Sequence, residues 1–293
     1  MNANFYINGL GYSSSWPASP KSLEGFRAFD IRAVLPSGEA RRISKTGQAA
    51  LAAACRATVD ARLPAPFTDE FATRVGLYIG TAFGAIDSNF LFMDSICEYG
   101  AQLASPTHFS HSINNAYCGF ISMRLNIQGP SCTVCQFGLS FAGALQAALS
   151  ALGSRSIDLA LVGAVEQAYD GLRAFRRFPP AAEEQSGLLE HACAAFFIIS
   201  KEPDARYPEI FSPVWLHTPQ NGRAAGAAHG KLSGERRFYT GHMAGQALDA
   251  AVACALLADG ADEGTKTGRL NYITYAHGHK PRSMYAGIAL QWL

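Results

Sequence analysis

Between Gly129 and Gly163 the chain has room for only one arrangement: a turn, a short strand, a tight junction, a helix and a second strand. Gly129-Pro130 closes whatever precedes it, and Ser131-Cys-Thr-Val-Cys135 is a short apolar run of strand character. Leu139, Ala142, Leu145, Leu149 and Leu152 then recur at helical spacing, and Gly153 ends that helix. Ile157-Asp-Leu-Ala-Leu-Val-Gly163 follows as a buried strand. Such a unit places its junction at the end of a buried strand and at a helix N-terminus, where folds of this kind present a nucleophile. The junction here reads Gln136-Phe137-Gly138, and none of these side chains attacks a carbonyl.

The flanking segments extend the same alternation. Asn4–Gly11 reads as an opening strand, residues 45 to 61 as an Ala-rich helix led in by Arg41-Arg42-Ile-Ser44, and Val75–Gly80 as a strand. Helical pattern covers 84 to 103, with Pro106 ending it, and Ile113 to Ile127 reads as a further helix. Ala194–Ser200 and Ile210–Leu216 are strands, residues 218 to 236 a loop, and Gly241-His242 opens a helix to about Asp259. Asn271–Tyr275 and Ala286–Leu290 form a hairpin-like pair. Alternation with fully apolar strands predicts an α/β chain with a mostly parallel sheet and helices on both faces.

Charged residues make up 16% of the 293-residue chain, against roughly 25% in ordinary soluble proteins, so part of the surface is expected to be covered by a partner. The net charge of +1 argues against a nucleic-acid or anionic-membrane footprint. No apolar run reaches membrane-span length, and Met1-Asn-Ala-Asn-Phe-Tyr lacks the parts of a signal peptide. Seven scattered cysteines fit a reducing compartment, so the expected location is cytoplasmic.

Read together, Gly129-Pro130-Ser131 with Glu166 in ungapped register, Ile7-Asn-Gly-Leu-Gly11, Arg41-Arg42-Ile-Ser44 and Glu190-His-Ala-Cys-Ala-Ala-Phe-Phe-Ile-Ile199 resemble the β-ketoacyl synthases. His217-Thr-Pro-Gln-Asn-Gly222, Gly241-His242 and Tyr275-Ala-His-Gly278 carry the resemblance into the second half. It implies a thiolase-like layered α-β-α fold, α/β in class, with two pseudo-repeated halves of which the second is truncated. The chain is then one domain over 1–293, with an N-terminal half over 1–205 and a shortened C-terminal half over 206–293. No cofactor is implied.

The departures from the family pattern carry the functional expectation. In ungapped register the family's nucleophilic cysteine falls on Gly138; a small gap would instead place Gln136, as in chain-length factors. His242 matches one family histidine, but Arg237 stands where a lysine is expected, and the second histidine's motif is missing between Gly222 and Arg236. The final motif becomes His277-Gly278-His279-Lys280-Pro281. The degenerate site at Gln136, Gly138 and His242 thus resembles that of a chain-length factor, the truncated partner subunit of aryl-polyene and type II polyketide ketosynthase heterodimers. Such a subunit is not catalytic alone: it pairs with an active ketosynthase, meets an acyl carrier protein and walls an acyl tunnel. By this resemblance Ile113, Ala116, Tyr117 and Phe120 are tunnel candidates, and Cys132, Val134 and Phe137 interface candidates. The alternative is a condensing or decarboxylating enzyme in its own right, using Cys135 or a rearranged site.

Cys132-x-x-Cys135 lacks a second pair at zinc-site spacing and reads as packing cysteines in a buried strand, where neighbours face opposite sides. His277 and His279 share one face if their segment is a strand, and are expected to be structural; no metal site is expected. The basic and aromatic run Arg173–Phe178 reads as a solvated loop, with contact to a carrier protein or partner as the other reading.

Overall fold

The computed structural model describes residues 4–14, 35, 38, 43–166, 193–203, 209–217, 271–277 and 284–291. These residues build an eight-stranded sheet in the order β3-β2-β4-β5-β1-β6-β8-β7. The strands are β1 (Phe5–Ser14), β2 (Val75–Gly80), β3 (Ser131–Val134), β4 (Leu159–Glu166), β5 (Cys193–Ser200), β6 (Glu209–His217), β7 (Asn271–His277) and β8 (Met284–Gln291). The helices are α1 (Lys45–Asp60), α2 (Asp69–Ala72), α3 (Ile86–Tyr99), α4 (Pro106–His111), α5 (Ala116–Leu125) and α6 (Ser140–Gly153).

The sheet is mixed, which corrects the mostly parallel sheet expected from the sequence. β2 pairs parallel with β3 and β4, while β4–β5, β5–β1, β1–β6, β6–β8 and β8–β7 are antiparallel. The expectation rested on wholly apolar strands such as Cys193-Ala-Ala-Phe-Phe-Ile-Ile, and that signal reports coverage of both faces, not direction. Coverage is indeed double. Leu159, Leu161 and Val165 of β4 face a core built with α1 and α5, and Ala160, Val162 and Ala164 face one built with α6. The described residues are therefore layered helix, sheet, helix.

β1 shows how closely one layer is set. A register shift between Ile7 and Gly9 leaves Asn8 as a bulge, which puts Ile7, Leu10 and Tyr12 in the α6 core. Gly9 and Gly11 then lie under α1, where a Cβ would overlap the carbonyl oxygens of Ala57 and Ala53. The bulge is tied down by Asn8, whose Nδ2 donates to Glu202 O at 2.8 Å, while Ser200 Oγ donates to its Oδ1 at 2.9 Å.

Several elements depart from the sequence reading for local reasons. Pro106 begins a helix rather than only ending one: it occupies the first turn of α4, and the Ser105 hydroxyl caps His108 N at 3.3 Å. α5 starts at Ala116, so Ile113, Asn114 and Asn115 precede it; paired asparagines favour turns over helix interior. Asp69-Glu70 opens the one-turn helix α2, after Thr68. β3 is an edge strand rather than a buried one, with Ser131 and Cys132 exposed. His242 and its expected helix, the 218–236 loop, Arg237, Arg173–Phe178 and His279 lie outside the described residues.

Candidate functional site

Three segments meet where β2, β3 and β4 end on the same side of the sheet. They are the loop Thr81–Ala85 after β2, the stretch Ser112–Asn115 before α5, and the turn Cys135–Leu139 joining β3 to α6. The parallel register, Gly80 opposite both Val134 and Ala164, aligns these ends, and Glu166 closes β4 beside them.

Ser140, the first residue of α6, holds the turn. Its hydroxyl accepts from Gln136 N at 2.8 Å and lies 2.6 Å from Phe137 O and 3.1 Å from Thr81 O. Gly80 has no Cβ because the α6 backbone at Ser140 and Phe141 crosses it at that point. Phe137 takes a φ of 49°, in the left-handed region that disfavours a bulky residue. Its ring is 48% exposed and sits edge-on to Phe83, with centroids 6.2 Å apart. Gly138 is not left-handed, and a Cβ on it would meet nothing within 4 Å.

The residues flanking the turn point apart. Gln136 lies over the first turn of α6, its Oε1 2.7 Å from where a Cβ on Gly143 would be; Val134 Cγ1 lies 2.9 Å from the same point. Cys135 faces the other way, toward Asn114, whose Nδ2 is 3.5 Å from its Sγ. Asn114 also fills the space over Gly84, which needs its φ of 60° and lack of a Cβ. Cys132 and Thr133 face opposite sides of β3: Cys132 stands beside Tyr78, and Thr133 Oγ1 is 3.2 Å from Cys118 Sγ. The two cysteines of the Cys-x-x-Cys are both exposed, so the expected burial fails: Cys132 lies on a strand with a neighbour on one side among the described residues, and Cys135 lies in the turn after it.

Glu166 is the charged group of the site and is only 2% exposed. Its Oε1 accepts from the Ala82 amide, and bonds from Thr81 and Phe83 also favour its ionised form. Oε2 has no partner among the described residues. Burial outweighs the bonds and pushes the carboxyl up to about 7. Its neighbours respond: burial and the nearby carboxyl raise the Cys135 thiol pKa, with the Asn114 bond working against them. Burial first and Glu166 second also raise Tyr117, whose hydroxyl donates to Gly84 O at 3.3 Å. A thiol shifted upward is a poorer nucleophile at neutral pH.

The four tunnel candidates separate. Ala116 and Tyr117 are buried in the α5 layer, and Tyr117 reaches the 81–85 loop. Phe120 is half-buried between Gly47 of α1 and the His111 ring, at 5.1 Å from the latter. Ile113 is 53% exposed and lies before the helix. Sequence reasoning missed Thr81, Phe83, Asn114 and Ser140. The signal available for the loop was Gly84 after an apolar strand, and for Ser140 a hydroxyl at a helix start.

The chain matches the family profile "Beta-ketoacyl synthase, N-terminal domain" over residues 21–187. It is 27% identical over 148 residues to a 3-oxoacyl-[acyl-carrier-protein] synthase 2 of Staphylococcus aureus (strain N315), a match covering 48% of this chain and 35% of that protein. The aligned part thus spans about a third of the length of that relative. Among solved structures, the type II PKS acyl-carrier protein complex AntDE:AntF with its hexaketide-bound ketosynthase superposes with a TM-score of 0.76 at 14% identity, over 100% of both chains. The ishigamide ketosynthase/chain length factor superposes with a TM-score of 0.68 at 16% identity, over 98% of this chain and 99% of that one. With the β3–α6 elbow, the doubly covered sheet and the matched profile, the chain belongs to the β-ketoacyl synthase N-terminal domain family and has its thiolase-like fold.

Proposed function

We propose that this chain is a non-catalytic chain-length-factor subunit, which pairs with an active β-ketoacyl-ACP synthase and shapes the acyl tunnel they share. The observation that carries the reading is the elbow itself. It has the strand–turn–helix frame of a nucleophile site, yet Gln136, Phe137 and Gly138 offer no group to acylate. The partner then supplies the thiol and the histidines for transfer, decarboxylation and condensation on a carrier-protein-bound substrate. The relative described as a ketosynthase/chain length factor shares the fold and supports the assignment by analogy.

The surface supports a protein partner. Phe90, Leu91 and Met93 on α3, with Leu103, Phe109 and Met123, are each at least 41% exposed, a density of apolar surface that marks association. Edge strand β3 has a neighbour on only one side among the described residues, and Cys132, Val134 and Phe137 lie on or beside it. The competing reading, an independent enzyme using Cys135, has the thiol's accessibility in its favour and its raised pKa against it.

Co-expression with an active β-ketoacyl-ACP synthase from the same organism tests the proposal. The two should purify one to one, and malonyl-dependent elongation should require both chains and survive only with the partner's cysteine intact. Elongation by this chain alone would sink the reading.

A further inference from the structure

Residues 89–115 include most of α3 and all of α4, and not one of them is buried. The one buried side chain of α3 is Ser88, although the helix carries two phenylalanines, two isoleucines, a leucine, a methionine and a tyrosine. Its two faces differ. Toward α4, the Phe92 ring meets that of Phe109 at 5.3 Å, Ser95 Oγ accepts from Ser105 N at 3.0 Å, and Asn89 Nδ2 donates to Ser112 O at 3.0 Å. The opposite face carries Leu91, Asp94 and Glu98 at i, i+3 and i+7, flanked by Phe90 and Met93, and all five are exposed. Long basic side chains ordinarily keep such a face in water. Here no lysine or arginine occurs from 75 to 123, although the chain has 24 of them in 293 residues. Aromatic residues and methionine without lysine are the composition of an interface core.

We propose that the outer face of α3 docks a chain other than this one, whose matching surface sets lysine or arginine side chains around an apolar patch and opposite Asp94 and Glu98. The apolar residues drive the contact and the two carboxylates choose the partner. A second copy fits poorly. In a twofold contact the same patch lies on both sides, so Asp94 and Glu98 would face carboxylates with no lysine or arginine of the patch to meet them. The cations that bound this stretch are placed elsewhere. Arg74 forks onto Asp158 at 2.7 and 2.9 Å, and Arg124, on α5, lies near Cys55 of α1. An acidic protein surface or an anionic membrane is disfavoured on the same ground. The identity of the partner rests on the chain-length-factor reading, which makes it the ketosynthase subunit; what the face adds is the chemistry of the surface that subunit must present.

Single charge reversals in the full chain test it. D94K and E98K are compared with E70K, an exposed carboxylate on α2, which precedes β2 whereas α3 follows it, so that all three change the net charge equally. Each is co-expressed with an active β-ketoacyl-ACP synthase from the same organism, and dissociation of the purified pair on dilution is followed by mass photometry at low and high salt. D94K and E98K should each weaken the pair about tenfold at low salt and less at high salt, and E70K by less than about twofold. Photo-cross-linking from p-benzoylphenylalanine in place of Met93 should join this chain to the synthase. That readout changes no charge, so it decides even where a reversal impairs folding. A pair that dissociates like the parent in both D94K and E98K, or cross-links joining two copies of this chain within a preparation that also forms the pair, would overturn the inference and leave the chain-length-factor reading standing. A parent chain that forms no pair with the synthase sinks that reading and this inference together.

Discussion

Raising the pH should weaken the folded chain through Glu166, and the E166Q variant isolates the effect. The carboxyl is 2% exposed, with Oε1 bonded to the loop after β2 and Oε2 unpartnered among the described residues. Burial lifts its pKa from an ordinary 4.5 to about 7, the Ala82, Thr81 and Phe83 bonds notwithstanding. A raised pKa means that the folded state holds the proton more tightly than the unfolded chain. The contribution is therefore full below about pH 4.5, falls as pH rises toward about 7, and is gone above that. At about 1.4 kcal/mol per pH unit, this interval is worth about 3 kcal/mol, a large share of a typical domain's stability. Glutamine keeps an acceptor for the Ala82 amide but has no charge to desolvate. Urea unfolding of both proteins between pH 4.5 and 8 measures the difference. The parent should lose about 3 kcal/mol relative to E166Q across that range. Over the same interval the Tyr117 and Cys135 groups, which feel the Glu166 charge, remain protonated because both are shifted upward. A parent-minus-variant difference that stays flat from pH 4.5 to 8 would refute the reasoning, because it would mean that the carboxyl ionises as easily inside the fold as outside it.

Three further outcomes are expected. Gly11→Ala should destabilise the chain by about 1–3 kcal/mol or prevent folding, because its Cβ would overlap the Ala53 carbonyl under α1; a melt unchanged from the parent would show that α1 can lift away. Cys135→Ala should leave elongation by the reconstituted complex intact and show no loss of acylated peptide from this chain, which intact-mass analysis during turnover would check. Phe120→Ala should lengthen the product of that complex, whereas Ile113→Ala, at a side chain 53% exposed before α5, should change it less; product chain lengths by mass spectrometry decide, and no change in either variant would remove both from the tunnel.

The sequence exposed those parts of the fold whose cause is local. Leu139, Ala142, Leu145, Leu149 and Leu152 repeat at helical spacing and all five are buried, Leu139 in the turn and the other four along α6. Val75–Gly80 was legible to the residue because six consecutive positions are buried between two helical layers. Strand direction was not legible. Whether β5 lies parallel or antiparallel to β4 depends on the path of the connection, while its apolar composition answers only to the helices above and below it. The bulge at Asn8 was hidden for a related reason. It is fixed by Glu202 and Ser200, far along the chain, and leaves no mark on the residues of β1 except the two glycines under α1.

At the site the same division separates chemistry from geometry. That the junction lacks a nucleophile is a fact about residue types, and Gln136-Phe137-Gly138 states it without any structure. Which of the three residues takes the left-handed conformation is a fact about φ, and φ here is set by partners remote in sequence: Ser140 pinned to Thr81, and Phe83 placed by a loop whose amides bind Glu166. Ungapped register between Gly129-Pro130-Ser131 and Glu166 assigns the nucleophile position to Gly138, and glycine is also the residue type that best tolerates a sharp turn. The fold instead gives the sharp conformation to phenylalanine and leaves the glycine ordinary. A turn that had simply decayed would be expected to relax its strain onto Gly138, where the left-handed backbone is nearly free. That the strain stays on an aromatic residue, with Phe83 against its ring and the Ser140 hydroxyl at its carbonyl, argues that the surrounding packing sets the backbone of the turn.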